Sequence, residues 1–156
     1  GDRRAPDGGL WLEYPSTGGA SPAVPVLVTG TKVEYFRRHQ SSVIAAELPW
    51  VASSGVKGVE TVTIKLLPEE MPARSYTVRL HFAEPDDLKT GDRVFDVTIQ
   101  GRRAFDNLDV VKEAGQSRKA IVKEIRGVRV NDELRISFHP TTKLPAFVCG
   151  VEVVEE

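Results

Sequence analysis

The sequence has little of what catalytic and metal sites are usually built from. Its single cysteine, Cys149, excludes an internal disulfide and a thiolate metal cluster. The chain contains no Gly-x-Ser-x-Gly, no His-Glu-x-x-His and no glycine-rich phosphate loop, and His81 and His139 have no zinc-like spacing. Carboxylates that could pair as in a glycosidase are present, but they are numerous enough to pair by chance. We therefore expect a protein without catalysis, metal site or cofactor.

Long apolar runs and a dominant charge are also missing. No run approaches the roughly 20 apolar residues of a membrane helix. The formal net charge of -1 gives no overall field that would attract nucleic acid or an anionic membrane. Neither is an expected partner. The chain begins with Gly1 rather than Met, which suggests an excised or processed fragment of a larger protein.

The sequence does contain stretches in which apolar and polar residues alternate with a period of two. In residues 76–82, Tyr76, Val78, Leu80 and Phe82 alternate with polar residues, and residues 95–99 repeat the pattern. From residue 58 onward we predict strands throughout, with a tight turn at 100–103 in which Gly101 supplies the positive φ. The 156 residues suit one domain, 1–156. The predicted fold is all-β: an antiparallel β-sandwich of the jelly-roll, galactose-binding-like kind.

Residues 1–58 form the least regular part of the chain. Its prolines and glycine pairs break every long element, so we predict an irregular segment that wraps the sandwich. Large rings such as Trp11 and Trp50 favour ordering by packing over a disordered tail. A short helical turn is expected at 42–47, ended by Pro49.

The polar loop 84–92 separates the two strongest strands and contains the first candidate ligand residues. A sugar site needs a ring face for C–H surfaces and fixed polar groups for hydroxyls. Tyr35, His39 and Trp50 from the irregular segment could combine with Asp86 and Asp87 for this purpose. Trp50 could equally be a packing residue. The acidic loop could equally be a solvated turn, or hold calcium through Asp86, Asp87 and Asp92.

Two further residues are assigned from their position in a strand. Tyr35 is the outward-facing candidate of the Tyr35–Phe36 pair, since its hydroxyl tolerates water. Cys149 shares a face with Phe147, Val151 and Val153, which predicts a buried, inert thiol.

Several linked motifs resemble the malectin and malectin-like carbohydrate-binding domain family. They are YTVRLHFAE at 76–84, RVFDVTIQG at 93–101, DVVKEAG at 109–115 and a closing strand at 146–153. The runs at 6–15 and 48–55 are similar to what precedes such domains in large secreted bacterial proteins.

The resemblance implies a non-catalytic module that binds an oligosaccharide or polysaccharide through loops at one end of a jelly roll. In malectin an aromatic pair stands at the position of Pro85-Asp86-Asp87, and an acid stands near Thr142 and Lys143. These two residues therefore complete the candidate ligand set. The alternative is a module that has lost sugar binding and docks a protein or another domain of its parent. An extracellular or periplasmic location, as part of a larger protein, follows from the resemblance.

Overall fold

A computed structural model describes residues 2–15, 24–68 and 71–156. Within these ranges the chain consists mainly of short strands, with two short α-helices and one 3-10 turn. None of the described helices is long and apolar enough to cross a bilayer. In chain order the elements are β1 (Arg3–Arg4), β2 (Leu10–Trp11), β3 (Val26–Thr29), β4 (Glu34–Arg37), the 3-10 turn (Gln40–Ser42), α1 (Pro49–Ala52), β5 (Ser54–Lys57), β6 (Thr61–Lys65), β7 (Arg74–Phe82), β8 (Phe95–Ile99), β9 (Arg102–Leu108), α2 (Val110–Ala114), β10 (Ile121–Val130), β11 (Glu133–Pro140), β12 (Phe147–Val148) and β13 (Gly150–Glu155).

The strands form two main sheets that face each other across one core. One sheet has the order β3-β6-β11-β8-β9 and the other the order β10-β7-β13. A smaller sheet, β12-β5-β4, and the hairpin β1-β2 flank them, and the strand pairs of all these sheets are antiparallel. The predicted all-β antiparallel sandwich is confirmed.

The core comes from the alternating rows that the sequence indicates. Val78, Leu80 and Phe82 of β7 are fully buried, as are Phe95 and Val97 of β8. These rows belong to one cluster that includes residues of both main sheets. The period of two therefore identified the buried faces, because one-sided burial selects every second residue of a strand.

The hairpin between β8 and β9 has the expected geometry. Gln100 and Gly101 both have positive φ, 53° and 76°, as a two-residue hairpin turn of type I′ requires. A second irregularity lies in β10, where the register shifts between Ile125 and Val128. Gly127 lies within this bulge at φ 69°.

The helix predictions were wrong in two places. Pro49 begins α1 instead of ending a turn at 42–47, because a proline at the first helical position lacks only an N–H that needs no helical partner. After residue 58 the chain is not purely β, since α2 follows β9. The Asp109 side chain accepts a hydrogen bond from Lys112 N, and Gly115 ends the helix at φ 92°. Both signals are visible in the sequence.

The amino-terminal hairpin lies on the outer face of the β10-β7-β13 sheet. The Trp11 ring meets His81 edge-on at a centroid distance of 5.1 Å. At Gly150 a Cβ would come within 3.0 Å of that ring, so the glycine makes room for the indole. Trp11 thus anchors the amino-terminal hairpin to the sheet.

Gly58 offers a test of how tightly the irregular segment is joined to the sandwich. It has φ +81°, and a Cβ at this position would overlap the Lys32 carbonyl oxygen. We expect Gly58→Ala to lower the free energy of unfolding by at least about 3 kcal/mol, from left-handed backbone strain plus the clash. Urea unfolding followed by tryptophan fluorescence measures the loss.

Gly91→Ala is the matched control. Gly91 also has positive φ, +90°, but open space surrounds its Cβ position. We expect Gly91→Ala to lower the free energy of unfolding by only about 1–2 kcal/mol. Equal losses in the two variants would show that the close approach of Lys32 does not constrain Gly58.

Candidate functional site

Four connections meet at the end of the sandwich where β7 ends and β8 begins. They are residues 38–48, 83–94, 109–120 and 141–146, and we call them the loop end. Ile44 N donates to Arg118 O at 2.8 Å, and Arg118 N donates to Glu84 O at 2.9 Å. Thr141 N donates to Val94 O at 2.9 Å. Backbone hydrogen bonds therefore tie the loops to one another.

Arg93 is the central side chain of the loop end. Its Nε donates to Glu84 Oε1 at 2.7 Å, its Nη2 to Asp86 Oδ2 at 3.1 Å and its Nη1 to Pro145 O at 2.6 Å. Its guanidinium also lies 5.6 Å from the centre of the Phe147 ring. Arg93 and Glu84 are 5% and 1% exposed. One guanidinium thus fixes the start and end of the acidic loop and the approach to β12.

Burial raises the pKa of Glu84, while the charge of Arg93 and the N–H of Asp86 oppose this rise. Asp86 N donates to Glu84 Oε2 at 3.1 Å. Both oxygens of this carboxylate are therefore used within the protein. Glu84 shapes the loop and is not free to receive a ligand.

Asp86 lies among three cations. Its carboxylate oxygens are 3.4 Å from Arg38 Nη2, 3.2 Å from Lys57 Nζ and 3.1 Å from Arg93 Nη2. Lys57 Nζ is also 3.9 Å from Glu34, whose side chain is 71% exposed. Asp86 therefore neutralises only part of the positive charge around it.

Asp87 points the other way, toward water. Its side chain is 85% exposed, and one oxygen lies 2.6 Å from Arg118 Nη1. Asp92 Oδ2 accepts from Lys89 N at 2.8 Å. The acidic side chains of the loop thus turn to separate partners, and the described residues contain no group of three or more His, Cys, Asp or Glu that could hold a metal ion.

Two depressions open on either side of residues 43–48 and share Ala52 as a wall. We call the first the arginine-rimmed depression: Arg38 and Arg118 line it together with the apolar side chains of Phe36, Val43, Ala83 and Pro85. We call the second, of about 170 Å³, the apolar depression; its lining includes Ala45, Leu48, His81, Ile121 and Val122.

Tyr35 has a partner that the sequence interpretation missed. The rings of Tyr35 and Tyr14 are 6.2 Å apart at an interplanar angle of 55°, and the two residues are 44% and 45% exposed. Partial burial, and then the neighbouring Tyr14, raise the pKa of the Tyr35 hydroxyl. The pair forms a neutral, exposed aromatic surface, which we call the tyrosine pair. The only hint in the sequence was a tyrosine beside Pro15.

Strand alternation separates the tyrosine pair from Asp86. Glu34, next to Tyr35 in β4, approaches Lys57, which in turn contacts Asp86. Tyr35 therefore faces the opposite side of this short edge strand. As expected, Phe36 points inward and packs against the core.

Trp50 and His39 have local structural contacts. The half-buried Trp50 ring meets Trp11 edge-on at 6.0 Å, and the Arg3 guanidinium lies 5.5 Å from its centre. His39 Nδ1 accepts from Ser41 N at 3.2 Å and so caps the 3-10 turn. The packing alternative for Trp50 matches these contacts.

Thr142 has contacts within the protein, whereas the neighbouring Lys143 does not share them. Thr142 Oγ1 donates to Asp92 O at 3.0 Å and accepts from Val94 N at 3.3 Å, which closes the base of the acidic loop. Lys143 is exposed at the loop end. Of the two, Lys143 has the side chain that a ligand could reach.

Cys149 is an inert thiol beside Ala52, which lines both depressions. Its Sγ is 3.5 Å from Ala52 O and 3.8 Å from Ala83 O. Burial raises the pKa of the thiol to about 12, so the nucleophilic thiolate is nearly absent at neutral pH.

The fold and the gathered loops define a galactose-binding-like β-sandwich domain of the jelly-roll kind. The family model for the malectin domain matches residues 70–148, and the chain belongs to the malectin domain family. Domains of this type are non-catalytic binding domains.

Similar proteins include plant and bacterial examples. Receptor-like protein 4 of Arabidopsis thaliana is 36% identical over 86 residues, which cover 54% of this chain and 14% of that protein. The chain thus spans a small part of its curated relative. The structure of Bacteroides uniformis β-glucuronidase matches 99% of this chain and 17% of its own, with 14% identity and a TM-score of 0.70. The ANXUR1 extracellular domain of Arabidopsis thaliana matches 82% of this chain and 40% of its own, with 15% identity and a TM-score of 0.67. At these identities the two structures show the fold alone.

The contacts of Arg93 predict a large effect on stability. Arg93→Ala leaves the Glu84 carboxylate buried without its cation, and we expect a loss of about 3–5 kcal/mol in the free energy of unfolding. Chemical denaturation measures it. The double variant Glu84→Gln/Arg93→Met removes both charges and should recover much of the loss. A cost below about 1 kcal/mol for Arg93→Ala would contradict a central role for this pair.

Labelling of Cys149, a residue of intermediate exposure, by a disulfide reagent tests whether its thiol is inert. With the pKa raised to about 12, the folded protein should react at least about a hundredfold more slowly than the protein unfolded in urea. A free cysteine in a small peptide is the control for the reagent. Equal rates for folded and unfolded protein would show that the thiol is accessible.

Proposed function

We propose that this domain is a non-catalytic carbohydrate-binding module that recognises a glycan at the loop end and the adjoining edge strand β4. The observation that carries the proposal is the tyrosine pair. Two neighbouring rings of 44% and 45% exposure, tilted by 55° to each other, offer ring faces on which the C–H face of a sugar ring stacks. Exposed paired rings of this kind have no role in the core.

Polar groups near the loop end complete the proposed site. Asp87 is exposed yet held by Arg118, so its carboxylate is positioned to accept from sugar hydroxyls at small entropic cost. Lys143 supplies a donor from the neighbouring loop. Asp86 and Thr142 hold the acidic loop that carries Asp87, while Trp50 and His39 make the local contacts described above.

The proposed setting is a larger extracellular or periplasmic protein. Membership of the malectin family and the small share of the Arabidopsis relative that the chain covers both support a domain with neighbours. The partners are then an oligosaccharide or polysaccharide and the other domains of the parent protein.

The alternative is a module that binds a protein or a neighbouring domain. The apolar depression favours it, because Ile44 and Val122, which are 45% and 49% exposed, lie in or beside its lining. Apolar rims of this kind suit a protein side chain better than a hydroxylated sugar.

A glycan array followed by calorimetric titration tests the proposal. We expect Tyr35→Ala and Tyr14→Ala each to weaken binding about tenfold or more, because each removes one ring of the stacking surface. Asp87→Ala should weaken it as well, through the lost acceptor. The reference is the wild-type protein with the best glycan on the array.

Glu155→Ala is the matched control. Glu155 is also an exposed acid, 2.9 Å from Arg74, but it lies at the opposite end of β7 from the loop end. Its loss should leave glycan binding unchanged. If a folded sample binds no glycan on the array, the proposal fails and the protein-binding alternative takes its place.

A further inference from the structure

We propose that the apolar depression is a docking site for a protein segment that carries an aromatic side chain next to a basic residue. This is a second surface of the domain, separate from the tyrosine pair, and it does not depend on glycan binding. The size of the depression, its lining, one carboxylate without a partner and a stretch of free backbone each favour this occupant. None of the lining residues was a ligand candidate from the sequence.

The course of residues 43–48 creates the depression. Ile44 runs beside the start of β10, where it forms an isolated parallel bridge with Lys119. The pairing ends there. Ala45 has φ 56°, a left-handed conformation that does not continue a strand. The space between residues 45–48 and the paired ends of β7 and β10 is the depression.

The volume of the depression suits one six-membered ring. An engineered apolar cavity of roughly 150 Å³ binds benzene, and the depression has about 170 Å³. Its lining is apolar except for Glu47 and His81, and Val122 at its rim is 49% exposed. A sugar ring in this space would place hydroxyl groups against methyl groups without partners, which costs free energy. The ring of an aromatic side chain buries C–H surface there instead.

The two polar lining residues differ in what they leave for a ligand. His81 Nε2 is 3.0 Å from Glu152 Oε1, and the imidazole meets Trp11 edge-on. Glu47 is exposed and, within the described parts of the chain, its carboxylate has no ion-pair or hydrogen-bond partner. A free carboxylate at the edge of an apolar depression is complementary to a ring with a cation beside it. Lysine or arginine next to the aromatic residue supplies that cation.

The charged residues of the adjoining sheet face are paired with one another. Arg79 lies 2.7 Å from Glu124 and 2.9 Å from Glu152. Arg126 lies 3.1 Å from the same Glu124. Lys119 precedes the lining residue Ala120 in the chain but does not itself line the depression. Glu47 is therefore the charged group of the lining that a docking segment meets without displacing an existing partner.

Free backbone groups favour a protein segment as the occupant. Within the described parts of the chain, the N–H and C=O groups of Ala45, Ala46 and Glu47 make no hydrogen bond to the protein. Ala45 and Glu47 are exposed, so these groups are accessible from outside. An extended segment that places its ring in the depression can pair its own backbone with them, as in strand addition at an exposed edge.

Matched peptides test the inference by two-dimensional amide NMR of the protein. Acetylated and amidated peptides of sequence Gly-Phe-Lys-Gly, Gly-Ala-Lys-Gly and Gly-Phe-Glu-Gly differ only in the ring or in the charge. We expect the first to move the signals of residues 45–48 and 120–122 and to bind at least about tenfold more tightly than the peptide without the ring. Glutamate in place of lysine should weaken binding about threefold or more, with a smaller difference at high salt.

Two variants with matched controls locate the site. Glu47→Gln should remove most of the preference for lysine and keep the preference for the ring. Val122→Ser replaces two methyl groups at the rim by one hydroxyl and should weaken the Gly-Phe-Lys-Gly peptide about threefold or more. Glu155→Gln and Val154→Ser change an exposed acid and a 42% exposed valine in β13 of the same sheet. Both controls should bind as the wild type does.

The outcomes that would overturn the inference are distinct from a failure of the proposed function. Equal affinity for the peptides with and without the ring, or no signal change at about 10 mM peptide, would overturn the docking site. An unchanged lysine preference in Glu47→Gln would overturn the choice of a basic partner. A neutral glycan that displaces the peptide would assign the depression to a sugar and overturn the protein occupant. Glycan binding at the tyrosine pair is measured separately, and neither result decides the other.

Discussion

The loop end depends on a single buried contact between Arg93 and Glu84. Their 2.7 Å hydrogen bond lies directly beneath a loop made of charged and turn-forming residues, where no apolar core could order the chain. Burying two charges costs more desolvation than their attraction returns, but removing one partner is far more costly still. The pair therefore acts mainly as a constraint on conformation. It obliges the acidic loop, the start of β8 and the approach to β12 to keep one arrangement.

That constraint explains why neighbouring acids have different roles. Asp86 lies on the inner side of the loop, among Arg38, Lys57 and Arg93. Asp87 is turned outward, where it is 85% exposed. A flexible acidic turn would present both to water equally. In the fixed loop, the Asp86 carboxylate pairs with cations instead. The Asp87 carboxylate and the side chains of Arg38 and Arg118 face the surface.

The ligand candidates named from the sequence divide along the same line. Tyr35, His39, Asp87 and Lys143 are exposed, whereas Trp50, Asp86 and Thr142 are half-buried with contacts inside the protein that residue type and position could not indicate. All seven stay predictions for a glycan site. Tyr14, Arg38 and Arg118 went unrecognised because their partners come from distant parts of the chain: Tyr14 lies 21 positions from Tyr35 and Arg118 lies 31 positions from Asp87.

The sequence by itself determined the sandwich, the buried rows of β7 and β8, the turn at Gln100 and Gly101 and the membership of the family. These features rest on local backbone preference and on a period of two, which nearby residues encode. It also contained the signals for α2, an aspartate cap and a closing glycine. Only the tertiary structure decided which charges at the loop end are satisfied and which face water. Ion pairs and ring contacts between distant segments depend on how the sheets bring loops together, and no spacing along the chain records that.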